Sequence, residues 1–210
     1  MGFCTIADLE AFLQITIPSG AKTTSAERAI TEATAAIRNY CRQQIDLVED
    51  DTITLDCIGG RTLPLLELPV VEVVEVIEDD EALTEDDDYK LGAGGLLYRV
   101  GSKWPSGPQI VQVTYSHGYK LADDYTAPAA AELIPDDIVQ VCVRAASRAY
   151  QAGLRADEVE GVPGVQATGL GDYSVQFGAE ASGSGENSLG ASAAPILLRS
   201  EKAILDKYRV

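Results

Sequence analysis

The sequence predicts an α+β protein: a small α-helical bundle with an inserted antiparallel β module, and a long Gly/Ser-rich arm before the C-terminal helix. Three observations carry this expectation. Apolar residues recur at helical spacing near both ends of the chain, the apolar period falls to two in the middle, and that same middle stretch holds nearly all of the negative charge. At 210 residues the chain is long enough for one domain with a sizeable core, or one domain carrying a smaller insert. The expected division is a helical part over 1–48 and 133–210, with 155–192 as its extended arm, and an acidic β module over 49–120.

Thr5 followed by Asp8, with Ile6, Leu9, Phe12 and Leu13 at helical spacing, predicts a short capped helix over 6–13. Pro18-Ser19-Gly20 ends it. Thr24 with Glu27 has the form of a second capping box, and Ala26, Ile30, Ala33, Ile37, Tyr40 and Cys41 follow at i, i+3, i+4 and i+7, predicting a helix from about Ser25 to Gln44. Its many alanines favour helix intrinsically and allow a neighbour to approach closely.

The period then changes. Ile53, Leu55 and Cys57 alternate with polar residues from Thr52 to Cys57, the pattern of a half-buried strand, and Gly59-Gly60 is a turn with Arg61 to Leu65 as its expected hairpin partner. Val70 to Ile77 is rich in β-branched residues, but Glu72, Glu75 and Glu78 recur every third residue, which a strand accommodates only with a bulge. Asp79 to Asp88 reads as an acidic turn, Tyr89 to Leu91 and Gly95 to Val100 as a hairpin, and Ile110 to Ser116 as a last strand with Val111, Val113 and Tyr115 on one face.

Helical character returns at Ile134-Pro135-Asp136-Asp137, where proline suits the first turn and the two carboxylates complement the helix dipole. Polar residues Gln140, Arg144, Ser147 and Gln151 form one narrow stripe, so the rest of this helix must be covered on more than one side. Gly153 is the expected stop. Residues 155–192 are poor in large apolar groups, with a strand-like island at Asp172 to Phe177, and a closing helix is expected over 194–208 with Leu197, Leu198, Ile204, Leu205 and Tyr208 on its apolar face.

Charge and cysteine content restrict function. Of 33 acidic side chains, 15 lie between residues 49 and 88 against a single basic residue, Arg61, a net charge of −14 out of −17 for the chain. No basic patch is available to hold a phosphate backbone or an anionic membrane. No apolar run approaches the roughly 20 residues that span a bilayer, and Met1-Gly2-Phe3-Cys4 opens without a basic n-region, so the chain is expected to stay in the cytoplasm where it is made. Cys4, Cys41, Cys57 and Cys142 lie 37, 16 and 85 residues apart with no CxxC pair. Buried thiols in a reducing compartment are the expectation, and no metal or cofactor.

The search for catalytic chemistry finds little. His117 is the only histidine and sits beside a turn glycine, which favours a structural role over a triad. P-loop, GxGxxG, HExxH and GxSxG patterns are absent. The acidic runs over 78–81 and 85–88 lack the alternating spacing and glycine of an EF-hand, and only Trp104 and Tyr89 stand near them as a sugar platform. An acidic calcium- or carbohydrate-binding module on a helical support is the alternative reading, and a hydrolase using Asp86, Asp87 and Asp88 a third.

Several short stretches in order resemble the head-to-tail connector (adaptor) family of long-tailed bacteriophages, particularly those of actinobacterial phages. They are the opening over 5–13, the helix ending Ile37-Arg38-Asn39-Tyr40, and Leu65-Leu66-Glu67-Leu68-Pro69-Val70 with the valines after it. Trp104-Pro105, Val111 to Tyr119, Ile134-Pro135-Asp136-Asp137-Ile138, Ala145 to Tyr150, Gly171 to Val175 and Ile204 to Arg209 complete the series. The resemblance implies a non-enzymatic virion subunit, a ring of usually twelve copies below the portal protein. Such a ring receives the next connector, stopper or tail-completion protein and surrounds the channel for DNA. The family offers no catalytic residues to carry over, and the acidic insert and long arm depart from it. Val139, Val143, Tyr150, Leu197, Leu198 and Tyr208 are the candidate subunit or partner contacts.

Overall fold

The computed structural model describes residues 2–122, 127–159, 167–170, 173–176 and 196–210. Two helices, α1 (Ile6–Leu13) and α2 (Ala21–Cys41), precede seven strands: β1 (Val48–Ile58), β2 (Thr62–Pro64), β3 (Val70–Glu78), β4 (Glu81–Leu83), β5 (Tyr89–Gly92), β6 (Leu96–Arg99) and β7 (Ser106–His117). Helix α3 (Asp136–Val159), the pair β8 (Ala167–Leu170) and β9 (Tyr173–Gln176), and α4 (Arg199–Leu205) with a 3-10 turn over Asp206–Tyr208 complete the chain. The α+β class is as the sequence predicts.

Helix α1 has the predicted bounds, and Thr5 and Asp8 make the reciprocal capping bonds that fix its start. Helix α2 starts four residues earlier than expected, at Ala21 behind Gly20. Thr24 lies inside the first turn rather than at the cap, and its hydroxyl donates back to the Gly20 carbonyl. The helix also stops short of Gln44, with Arg42 in the left-handed conformation, because Gln43 and Gln44 are drawn off to the β module: Gln43 Oε1 accepts from the Leu68 N–H and the Gln44 N–H donates to the Glu67 carboxylate.

Strands β1, β7, β3 and β4 form one antiparallel sheet in that order, and β2, β6 and β5 a second. The hairpin expected between β1 and the segment after Gly59-Gly60 does not form. β2 pairs with β6, and the partner of β1 is β7, some fifty residues on. At Gly59 the backbone turns with φ +78°, and the Gly60 carbonyl accepts from the Trp104 N–H, so the chain leaves the first sheet for the second. The glutamates of β3 are reconciled by register shifts between Val70 and Glu72 and between Val73 and Glu75, which bring Val76 into the core. Asp79 to Asp88 is more than a turn, since Glu81–Leu83 folds back on the end of β3.

Helix α3 passes through Gly153 and continues to Val159. Gly153 is not among the positive-φ glycines, so it keeps a right-handed backbone and costs only propensity, about 1 kcal/mol against alanine. Of the arm expected over 155–192, the strand-like island is seen as β9 paired with β8, and 160–166, 171–172 and 177–195 lie outside the described residues. The closing helix begins at Arg199 rather than 194, which also lies outside them.

Buried side chains fall into two clusters. One joins Leu9 of α1, Ala26, Ala33 and Ile37 of α2, Ile138, Val141, Cys142 and Ala145 of α3, and Leu205 of α4. The other lies between the sheets around Leu55, Val76, Leu97, Trp104, Val111, Val113 and Tyr115. Each large apolar side chain so enclosed contributes about 1.5–3 kcal/mol of transfer free energy. The small residues of α2 and α3 are what allow those two helices to pack closely.

Candidate functional site

Where the chain leaves α2, a set of polar bonds ties the helices to the sheets. Besides the two glutamine bonds above, the Glu67 N–H donates to the Tyr115 hydroxyl, Gln43 Nε2 donates to the Tyr208 carbonyl, the Tyr119 N–H donates to the Ile45 carbonyl and the Gly118 N–H to that of Pro69. Burial pushes the Tyr115 hydroxyl up to about 12, so it stays a neutral partner there. An open cavity of about 410 Å³ lies against this junction, lined by Gln43, Leu68, Pro69, Tyr119, Tyr208 and Arg209 among others.

His117 is buried at the end of β7, beside the Tyr115 ring. Its Nε2 lies 3.3 Å from Asp51 Oδ2, and its Nδ1 has no hydrogen-bond partner among the described residues. The neighbouring Ser116 hydroxyl accepts from the Asp50 N–H. Among the described residues no hydroxyl or thiol is hydrogen-bonded to the imidazole, so a nucleophile–base pair is not assembled.

The acidic runs are spread along edges rather than converging. Glu78 and Asp88 both pair with Arg99, whose guanidinium lies over the Trp104 ring at 5.6 Å, and Asp86 pairs with the exposed Lys90. The Thr84 N–H and Arg99 together hold the Asp88 carboxyl below its ordinary range. No group of three or more His, Cys, Asp or Glu side chains is arranged to hold a metal ion among the described residues. Arg99 was not singled out from the sequence. Its signal was available: it is a cation facing a stretch that otherwise carries almost none.

Of the candidate contact residues, Val143, Tyr150 and Leu197 are buried within the helical cluster of the single chain, and Val139 is partly buried against it. Leu198, 42% exposed, is open to solvent. Tyr208 is partly buried and donates to Asp137 Oδ1 at 2.7 Å. Phe12, placed on the inner face of the first helix by its spacing, is also exposed, as are Ile15, Leu133 and Ile196. Beneath Leu198, Arg148 of α3 grips Glu201 of α4 with two nitrogens at 2.8 and 2.6 Å and also donates to the Ile196 carbonyl.

Asp137 closes a second link between the start of α3 and the C-terminal turn. Desolvation works to raise its carboxyl, but hydrogen bonds from Lys207 and Tyr208 outweigh it and hold the group below the ordinary carboxylate range. A carboxyl lowered by folding contributes stability above its unfolded value, near 3.9, and loses it as pH falls through the folded value. Asp137→Asn is therefore expected to lower stability slightly at neutral pH, within about 1 kcal/mol for so exposed a pair, and to flatten the acid limb of a plot of stability against pH. An unchanged acid limb in urea titrations from pH 2 to 7 would count against this role.

No family model matches the sequence, and no curated protein matches it. Solved structures do. The neck of an empty gene transfer agent particle, computed with C6 symmetry, superposes with a TM-score of 0.52 at 16% identity, over 97% of this chain and 88% of that one. A chain of the virion of the native gene transfer agent particle gives 0.49 at 16% identity over 97% and 88%, and one from the neck of the native particle computed with C12 symmetry gives 0.45 at 15% over 97% and 87%. At such identities the first of these establishes a shared fold.

Proposed function

We propose that this chain is a structural head-to-tail connector of a phage-like particle, a subunit of a ring, of twelve copies by the family resemblance, that lies below the portal and joins capsid to tail. Residues 1–48 and 133–210 form the connector core and 49–120 an inserted acidic module. The portal protein sits on one side of the ring and the next connector, stopper or tail-completion protein on the other. The protein resides in the virion neck after assembly in the host cytoplasm, and it has no catalytic role. The observation that carries this reading is the common fold with a neck chain over 97% of the present sequence. It is reinforced by the ordered sequence stretches that resemble connectors of actinobacterial phages.

The electrostatics fit such a place. A wall around passing DNA must not retain it, and each cationic phosphate contact would add affinity. A net charge of −17 per copy avoids this, although screening beyond about 8 Å at physiological salt limits the repulsion to near the wall.

In a ring, Val139 and Leu198 meet a neighbouring copy or the portal, while Val143, Tyr150 and Leu197 stay in the core beneath them. Leu198→Asp is expected to leave the isolated chain folded, because the side chain is already half in water, yet to weaken ring assembly at least about tenfold, since a desolvated carboxylate would face an apolar partner. Sedimentation of the assembled ring, or complementation of particle yield, would measure it; wild-type assembly would remove Leu198 from the interface. The function itself is tested by averaged images of particles containing the protein. A rotationally symmetric ring between capsid and tail is expected. A monomer outside the particle that turns over a substrate at His117 or at the acidic run would refute the reading.

A further inference from the structure

Folding brings together two cysteines that stand 138 positions apart in the chain. Cys4, just before α1, and Cys142, in the middle of α3, are both buried, and their sulfur atoms lie 3.3 Å apart. Cys41 and Cys57 have no such neighbour: Cys41 touches the Leu205 carbonyl, with its thiol pushed up to about 11 by desolvation, and Cys57 belongs to the β cluster. Of the two, Cys4 is the one nearer solvent and Cys142 is fully enclosed. Cys4 stands on the wall of an open cavity of about 440 Å³, together with Phe3, Thr5, Asp8, Leu133 and Val139.

The surroundings divide the two thiols into different roles. The Cys4 thiol donates to Cys142, whose sulfur also lies 3.7 Å from the Thr34 hydroxyl and close to the backbone N–H groups of Phe3 and Cys4; these neighbours, the Cys4 thiol first, hold the Cys142 thiol below its ordinary value despite burial. Cys4, lending its proton to Cys142 and lying near Asp8, is pushed far up. The two sulfurs are in hydrogen-bond contact, so once one of them has formed a mixed disulfide the other stands next to it, ready to displace the leaving group.

We propose that Cys4 and Cys142 form a reversible intramolecular disulfide, a modification site that staples the segment before α1 to α3. The oxidant is a low-molecular-weight disulfide such as oxidised glutathione. One sulfur of the pair, as thiolate, attacks the S–S bond of the reagent and expels one thiolate. The second sulfur gives up its proton and attacks the mixed disulfide, expelling the other. Two protons and two electrons pass to the reagent, which leaves as two thiols, and the new bond draws the sulfurs from 3.3 Å to about 2.05 Å.

Both cysteines belong to the helical core. The closed loop spans most of the chain, which makes its effect on the unfolded state large.

The full-length wild-type protein is incubated with oxidised glutathione and examined by intact mass and peptide mapping. Loss of two hydrogens is expected, with a peptide containing Cys4 joined to one containing Cys142, and a rise in Tm on the order of 5 °C that dithiothreitol reverses. Cys41→Ser/Cys57→Ser, which keeps only the proposed pair, should behave as the wild type. Cys142→Ser should give at most a mixed disulfide on Cys4. Four free thiols after oxidation, a bond to Cys41 or Cys57, or a fall in Tm on closure would each overturn the proposal, and none of these results bears on where in a particle the protein sits.

Discussion

Gly118→Ala is expected to destabilise the folded protein by about 2–6 kcal/mol, from backbone strain of about 1–3 kcal/mol and an overpacking penalty of similar size. Gly118 follows the last residue of β7 with φ +94°, a region that side-chain-bearing residues rarely adopt. A Cβ there would lie 2.5 Å from the Asp46 oxygen, 2.8 Å from its carbonyl carbon and 3.0 Å from the Ile45 oxygen. All three are backbone atoms, so no side chain can swing aside to make room. The same short segment carries the bonds by which the helices hold the β module: Gly118 N–H to Pro69, Tyr119 N–H to Ile45 and Leu47 N–H to Tyr119. The substitution should therefore loosen the junction as well as lower global stability. Urea unfolding measures the first loss, and hydrogen exchange at Leu47 and Tyr119 should rise beyond the global change. A loss under about 1 kcal/mol would show that the turn can relax in a way the present geometry does not offer.

Arg148→Ala should cost about as much, roughly 3–5 kcal/mol, for a different reason. It leaves Glu201, whose side chain is only 3% exposed, charged and without its bidentate partner. One Glu201 oxygen still accepts from the Leu198 N–H at the start of α4, but a single amide does not replace a guanidinium. Helix α4 is seven residues long and cannot hold itself in water, so the expected consequence is release of the C-terminal segment with Leu197 and Leu205, both part of the helical core. The double variant Arg148→Met/Glu201→Leu should recover much of the loss, because two apolar groups fill the space without a stranded charge. Recovery separates a penalty for an unpaired carboxylate from simple loss of packing. If the double variant were no more stable than the single, the loss would be one of packing rather than of a stranded carboxylate.

Part of the candidate contact surface could be read from the chain, and part could not. The narrow polar stripe of α3 announced that the helix is covered on several sides, and Val139, Val143 and Tyr150 follow from it. Periodicity cannot say which partner does the covering. Within one chain the helical cluster already encloses Val143, Tyr150 and Leu197, leaving Val139 partly buried and Leu198 exposed. Arg148 read simply as one of several polar side chains on a helix. Its pairing with Glu201, 53 positions on, has no local signature, and the same holds for the sulfur pair at positions 4 and 142.

Features set by neighbours within a few residues were legible from residue order: the α+β class, the bounds and capping of α1, the bulged β3, the hairpin of β5 and β6, and the inward face of β7. Capping, propensity and side-chain alternation are local energies, and they act wherever the segment lies. Tertiary structure decided what depends on distant partners. Thr24 looked like a cap but lies inside α2, since the helix could extend back to Gly20. The segment after Gly59-Gly60 looked like half of a hairpin but pairs with β6, where Leu63 and Leu65 join Leu97 and Trp104 in the core between the sheets. Such choices weigh contacts made across dozens of residues against small local preferences of about 1 kcal/mol or less, and the contacts win.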